Sequence, residues 1–273
     1  MAKDVAMEKN EGRLMFGGMA RWDGLDLFGP NFTSVAYRRK GEIHVKIEPS
    51  ALRKPTNPTV RRVSGWPVIR SFFLWGRVFA QVFGSIWSLL FFVATLAVLW
   101  IFVRLMQLGS GAETFGGVFA FFAEFPILPI LLIFFAATRF TPIGRYHGAE
   151  HKAVAAYEKY GVVTLQNARE SSRIHPRCGT NILLYIMIAA LLDPLIAWWG
   201  YAIVQFILIS EAWFVFGKTR PSIAVGNFLQ RYITTTEPHR YQLEVAVESL
   251  NRLLQAEEER RVDVAAVRLK AKY

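Results

Sequence analysis

The sequence predicts a mainly α-helical, polytopic membrane protein with about four transmembrane helices and a small β-containing segment ahead of them. Three observations support this class. The apolar residues are gathered into a few long runs, the mean hydropathy is +0.26, and basic residues avoid the short connections between the runs. A helix needs about 20 consecutive apolar residues to cross the hydrocarbon core. The bunching of the apolar residues therefore favours membrane spans over a soluble core.

Residues 1–65 are predicted to form a β-hairpin followed by a basic linker. The segments 33–39 and 42–48 are rich in β-branched residues and partly alternate, and Lys40-Gly41 between them is a two-residue turn. The basic residues of the linker favour contact with anionic lipid headgroups of the bilayer. They come with no stacking aromatic platform or RNA-binding signature, so no nucleic-acid partner is expected.

Residues 66–138 are predicted to hold an interfacial segment and the first two transmembrane helices, and residues 181–216 the other two. The last run is too long for one ordinary span and is interrupted at Asp193-Pro194, where proline cannot continue a helix. The four predicted spans cover residues 78–103, 115–138, 182–192 and 195–216.

The distribution of positive charge selects four spans over the alternative of three. With four spans, all of the 32 basic residues except Arg104 fall on one side of the bilayer. Lys and Arg accumulate on the cytoplasmic side of membrane proteins. We therefore expect a multi-pass protein of the bacterial cytoplasmic (inner) membrane, with both termini in the cytoplasm.

Residues 217–273 are predicted to be a cytoplasmic tail with an amphipathic helix. Within residues 238–259, apolar side chains recur at intervals of four, three and four residues, at Leu243, Val247, Leu250 and Leu254. This spacing places them on one face of a helix, which is suited to pack against other folded parts of the chain or a cytoplasmic protein partner.

The predicted cytoplasmic loop, residues 139–180, contains the candidate site. His147 and His151 are four residues apart and project from one helical face, with Glu150 beside them. This His-x-x-Glu-His pattern is the inverted zinc metallopeptidase motif, in which the histidines bind metal and the glutamate polarises water. Downstream lie His175 and Cys178, the only cysteine. These donor types suit zinc.

The sequence therefore predicts a zinc site on the cytoplasmic face and a metal-dependent hydrolase of a peptide, lipid or phosphoester. Glu150 is the candidate general base, and Glu211 is a further candidate ligand near the end of the fourth span. The candidate metal ligands are His147, His151, His175, Cys178 and Glu211.

Three alternatives stay open at this point. Cys178 is a candidate nucleophile with His175 as its base. A non-enzymatic scaffold or assembly factor would use the metal only structurally. A small transporter would use Glu124 and Glu211, since ionisable groups at membrane depth mark ion or substrate paths.

Three segments resemble the bacterial YqhQ-like family, a family of membrane proteins of unknown function. They are the segment 146–152 around the two histidines, the segment 172–180 around Cys178, and Thr235-Thr236-Glu237-Pro238 with the following residues 244–249. The resemblance implies a metal-dependent enzyme without an established substrate. Near its N-terminus, this chain keeps Gly17-Gly18 and a carboxylate, Asp23, from the family pattern, but it lacks the Met-Met-Arg segment of that pattern.

Overall fold

The structure is a computed structural model that describes residues 14–50, 57–82, 127–192 and 201–270, with the single positions 90 and 117. The chain divides into two compact units. The first unit comprises Met1–Lys54, Ala136–Thr180 and Ala224–Tyr273, and the second comprises Pro55–Phe135 and Asn181–Ile223.

Four antiparallel strands form a meander in which each strand pairs with the next along the chain. The strands are β1 (Gly17–Ala20), β2 (Gly24–Phe28), β3 (Phe32–Arg39) and β4 (Glu42–Pro49). Lys40 and Gly41 join β3 to β4 with φ angles of 51° and 88°. Positive φ at both central residues is what a tight two-residue hairpin turn requires, so the predicted hairpin is confirmed.

Helices account for most of the other described residues. They are α1 (Pro58–Val63), α2 (Ile69–Val82), α3 (Ile127–Phe140), α4 (Pro142–Tyr160), α5 (Leu165–Glu170), α6 (Ile182–Leu192), α7 (Tyr201–Phe216), α8 (Arg220–Leu229) and α9 (Arg240–Lys270). A 3₁₀ turn covers Gly179–Asn181, and a π-helical segment covers Gln230–Thr234.

The core of the first unit lies between the sheet and the helices α4 and α9. Strands β2 and β3 contribute buried Leu and Ala side chains, α4 contributes alanines at spacings of four and three, and α9 contributes its apolar stripe. Leu243 and Leu250 are buried, while Val247 and Leu254 are partly buried and pack against the core, so the predicted amphipathic helix is confirmed. Small alanine side chains on α4 let the sheet approach the helix that carries the candidate site.

The predicted membrane topology is wrong: among the described residues, no helix combines the length and the apolar character needed to cross a bilayer. The longer helices α4 and α9 carry several charged residues.

Parts of the predicted spans lie outside the described residues. This applies to residues 83–103 of the first span apart from position 90, to residues 115–126 of the second apart from position 117, to Asp193-Pro194, and to residues 195–200 of the fourth span. Glu124, the candidate transport residue, lies there as well. The expected inner-membrane location, the contact with lipid headgroups and the protein partner stay predictions.

Within the second unit, Glu211 of α7 ties that helix to the start of α2. Its carboxylate accepts hydrogen bonds from the Val68 N–H (3.0 Å), from Arg70 Nε (2.9 Å) and from Ser71 Oγ (2.7 Å). The bond from Arg70, followed by those from Ser71 and Val68, holds the pKa of Glu211 below its usual value. Glu211 therefore serves as an ionised anchor between two helices.

Candidate metal centre

Helix α4 carries the His-x-x-Glu-His motif. Thr141 caps its first turn by accepting a hydrogen bond from the Ile143 N–H (3.3 Å), and Gly161 ends the helix with a φ of 77°. Because residues four apart share a helical face, the rings of His147 and His151 are neighbours, with centroids 4.4 Å apart. The helix therefore presents both imidazoles to the same space.

Both imidazoles bind a backbone carbonyl through Nδ1, which leaves Nε2 available. Nδ1 of His147 lies 2.8 Å from the Thr234 oxygen, and Nδ1 of His151 lies 2.7 Å from the Arg173 oxygen. Since a carbonyl oxygen only accepts, each Nδ1 donates its proton and each Nε2 keeps a lone pair. Burial lowers the pKa of both histidines and keeps them neutral near pH 7, which is the form that binds metal.

Cys178 completes a group of three donors. Its Sγ lies 3.3 Å from Nε2 of His147 and 3.0 Å from Oγ1 of Thr180. One donor atom each from His147, His151 and Cys178 lie within 4.8 Å of one another. Tetrahedral zinc, with bonds of about 2.0–2.3 Å, sets its nitrogen and sulfur ligands roughly 3.3–3.8 Å apart. The group could therefore hold a metal ion with small movements of the side chains.

The three donors are largely shielded from solvent. His151 and Cys178 are 4% and 7% exposed, and the ring of His147 is enclosed although the residue as a whole keeps some exposure. Burial raises the pKa of the Cys178 thiol to about 12. A thiol loses its proton when it coordinates a dication, so metal binding at this site would release a proton to solvent.

Glu150 is buried beside the donors and has an oxygen without a partner. The residue is 6% exposed, and within the described part of the chain its Oε2 makes no hydrogen bond. Burial raises the pKa of Glu150 to about 8. After burial, the largest cause, this carboxyl also contributes to the raised pKa of the Cys178 thiol. A buried unpaired oxygen is costly unless a bound group uses it.

Strand β1 covers the carboxyl of Glu150 with the backbone of Gly18. A Cβ atom placed on Gly18 would lie 2.5 Å from Cδ and 2.6 Å from Oε1 of Glu150. Real Cβ atoms essentially never show contacts under 3.0 Å, so this position accommodates glycine alone while Glu150 keeps its place. The neighbouring Gly17 has no atom within 4 Å of such a Cβ.

A second glycine, Gly148, allows the segment that holds His147 to approach α4. A Cβ atom on Gly148 would lie 2.2 Å from the backbone oxygen of Thr236. That close passage places the Thr234 carbonyl within reach of His147. Sequence reasoning missed Thr234 as a partner of the site. A glycine between two candidate ligands of one helix was the signal for a close backbone approach.

His175 and Glu211 are not part of the three-donor group. Nε2 of His175 lies 3.0 Å from a carboxylate oxygen of Glu158, and its Nδ1 accepts the Arg177 N–H at 3.3 Å. Both ring nitrogens of His175 therefore already have partners. Glu211 is bonded to Arg70 and Ser71 in the second unit. The structure thus brings together three of the five predicted ligands, together with Glu150.

The first unit is an α+β fold in which a meander sheet packs against two long helices, α4 and α9, and α4 carries two donors of a candidate metal centre. Residues 75–210, which include His147, His151 and Cys178, match a family described as a protein of unknown function (DUF1385). The chain is 36% identical over 130 residues to the uncharacterized protein YqhQ of Bacillus subtilis (strain 168). The chain belongs to this YqhQ-like family, as its motifs predicted.

The match to the Bacillus protein covers 41% of this chain and 41% of that relative, so it spans well under half the length of either. No solved structure matches the chain.

Proposed function

We propose that the protein is a zinc-dependent hydrolase whose metal is held by Nε2 of His147, Nε2 of His151 and Sγ of Cys178. The observation that carries the proposal is the group of three donors within 4.8 Å of one another. Two neutral imidazoles and a thiolate are typical ligands of zinc, and thiolate disfavours magnesium and calcium. The carbonyls of Thr234 and Arg173 orient the rings, as outer partners do in zinc sites.

Three protein ligands leave one position of a tetrahedral site for water or substrate, which is the pattern of catalytic zinc. When bound, zinc supplies Lewis acidity towards a water molecule or towards a carbonyl or phosphoryl oxygen of the substrate. The proton transfer falls to Glu150, whose Oε2 is free of other partners among the described residues. With a cation bound nearby, the pKa of this carboxyl would fall from about 8 and the group would be ionised. Glu150 would then accept a proton from water and return it to the leaving group.

The first experiment measures zinc in the purified protein. We expect about one zinc per chain in the wild type and a loss of zinc in the double variant His147→Ala/His151→Ala and in Cys178→Ser. His44→Ala is the matched control, because His44 is an exposed histidine of β4. Negligible zinc in the wild type, equal to that of the variants, would refute the proposal.

The second experiment tests hydrolysis with chromogenic ester, amide and phosphoester substrates. We expect Glu150→Gln to keep the zinc and to lose about 10²–10⁴-fold in rate, the usual contribution of a general base.

The burial of His151 and Cys178 favours a second candidate, a zinc scaffold without catalysis. Zinc-loaded wild type that hydrolyses none of these substrates, or a Glu150→Gln variant as fast as wild type, would favour the scaffold.

A further inference from the structure

We infer that Arg173 is the positioning residue that presets both histidine ligands. It holds in place the two carbonyls that fix their ring orientation. The inference rests on the proposed function for its use of the histidines, and it adds a residue outside the ligand set. Arg173 lies between His151 and His175 in the chain, and its carbonyl and its guanidinium act on different histidines.

The carbonyl of Arg173 serves His151 directly. It lies 2.7 Å from Nδ1 of His151 and leaves Nε2 as the nitrogen with the lone pair. The position of this carbonyl depends on the short segment that follows α5, which makes few regular hydrogen bonds of its own. The Gln230 side chain bonds the backbone N–H and oxygen of His175, further along that segment, and a further contact must hold the part next to Arg173.

The guanidinium of Arg173 provides that hold by binding the end of the π-helical segment Gln230–Thr234. Nη1 donates to the Thr235 oxygen (2.8 Å), to Thr235 Oγ1 (2.7 Å) and to the Gln230 oxygen (3.3 Å). Nη2 donates to the Arg231 oxygen at 3.1 Å. The last carbonyls of a helix lack intrahelical partners and carry partial negative charge, so a cation there is well placed.

The segment that the guanidinium binds also carries the carbonyl that serves His147. The Thr234 oxygen, 2.8 Å from Nδ1 of His147, lies between the residues that Arg173 contacts at 231 and 235. One arginine therefore links the two outer carbonyls. With Arg173 in place, both Nε2 lone pairs point towards the space next to Cys178. Short π-helical segments recur at functional sites, and this one carries the carbonyl that bonds His147.

A lysine cannot replace this arrangement, because one ammonium on a flexible stem lacks the planar fork of donors that spans several carbonyls. Arg173→Lys keeps the charge and tests the geometry alone. Arg169→Lys is the matched control: it lies four residues earlier, on α5, and is exposed. Arg173→Ala is a second variant, and thermal unfolding establishes that each protein is folded before the ligands are examined.

The test has two readouts on the full chain. In the metal-free protein, nitrogen NMR of the imidazoles reports which ring nitrogen carries the proton. We expect Nδ1–H forms for His147 and His151 in wild type and in Arg169→Lys, and mixed tautomers in Arg173→Lys. The second readout is zinc affinity by competition with a chromogenic chelator, which should fall about 10–100-fold in Arg173→Lys, as for other outer-shell changes.

The outcomes separate this inference from the proposed function. Unchanged imidazole tautomers in folded Arg173→Lys overturn the inference, whatever the zinc affinity is. Altered tautomers in a protein whose wild type binds no zinc uphold the role of Arg173 and refute the zinc site. Altered tautomers with weakened zinc binding support both.

Discussion

Replacing Gly18 with alanine should displace the carboxyl of Glu150, and the adjacent Gly17 offers a control within the same strand. Both glycines lie in β1, and neither has a positive φ, so the backbone accepts alanine at either position. The two substitutions add the same methyl group to the same strand. They differ in what that methyl group meets.

The expected magnitude follows from the contacts at each position. At Gly18 the new Cβ would lie 2.5 Å from Cδ of Glu150, inside the 3.0 Å limit, and Glu150 is only 6% exposed. Overpacking of this kind costs about 1–3 kcal/mol of the free energy of unfolding. At Gly17 the added group meets nothing within 4 Å, so we expect a change within about 0.5 kcal/mol.

Urea unfolding of the two variants and the wild type measures this difference. We expect Gly18→Ala to unfold at clearly lower urea and Gly17→Ala to match wild type. In Glu150→Ala the crowded carboxyl is absent, so adding Gly18→Ala to that variant should cost little stability. If Gly18→Ala and Gly17→Ala are equally stable, or if Gly18→Ala costs as much without the Glu150 carboxyl as with it, the reasoning about the Gly18–Glu150 contact is wrong.

Three further predictions concern stability. Glu211→Gln should lower the free energy of unfolding by about 1 kcal/mol at pH 7, a value reduced for partial solvent screening. Because the pKa of Glu211 is depressed in the folded state, this difference should shrink as the pH falls below about 4; a pH-independent difference would argue against it. Glu257→Ala should cost about 1–3 kcal/mol by urea unfolding, because the Glu257 carboxylate accepts the N–H groups of Asn31 (2.7 Å) and Phe32 (2.9 Å); wild-type stability would refute this. Free zinc at 100 times its dissociation constant should stabilise the metal-free protein by about 2.7 kcal/mol, and His147→Ala/His151→Ala should show no such gain in thermal or urea unfolding.

Local patterns in the sequence predicted the local structure of the first unit well. The turn at Lys40-Gly41 and the apolar spacing of Leu243 and Leu250 each depend on a few consecutive residues, and both features are present. The hydropathy of the runs was a poorer guide. The sequences of helices α6 and α7 have no clear polar face, so apolar periodicity does not indicate what these helices pack against.

The candidate site shows the same division between local and long-range information. The spacing of His147 and His151 on one helix is a local property, and their shared direction follows from it. The choice of the third donor is a tertiary property. His175 and Cys178 are three residues apart, and either one suits zinc, but Glu158 occupies Nε2 of His175 while Cys178 lies 3.3 Å from His147.

The contacts around this site link metal binding to the folding of the whole first unit. The donors lie on α4 and in the loop after α5, their outer carbonyls come from that loop and from the segment after α8, and β1 covers Glu150. A metal ion that binds only when these four parts are assembled stabilises the assembled state. Zinc would therefore affect the unfolding of the sheet as well as the histidines. A site held only by α4 would lack this coupling, because two histidines on one helix can bind metal without the sheet.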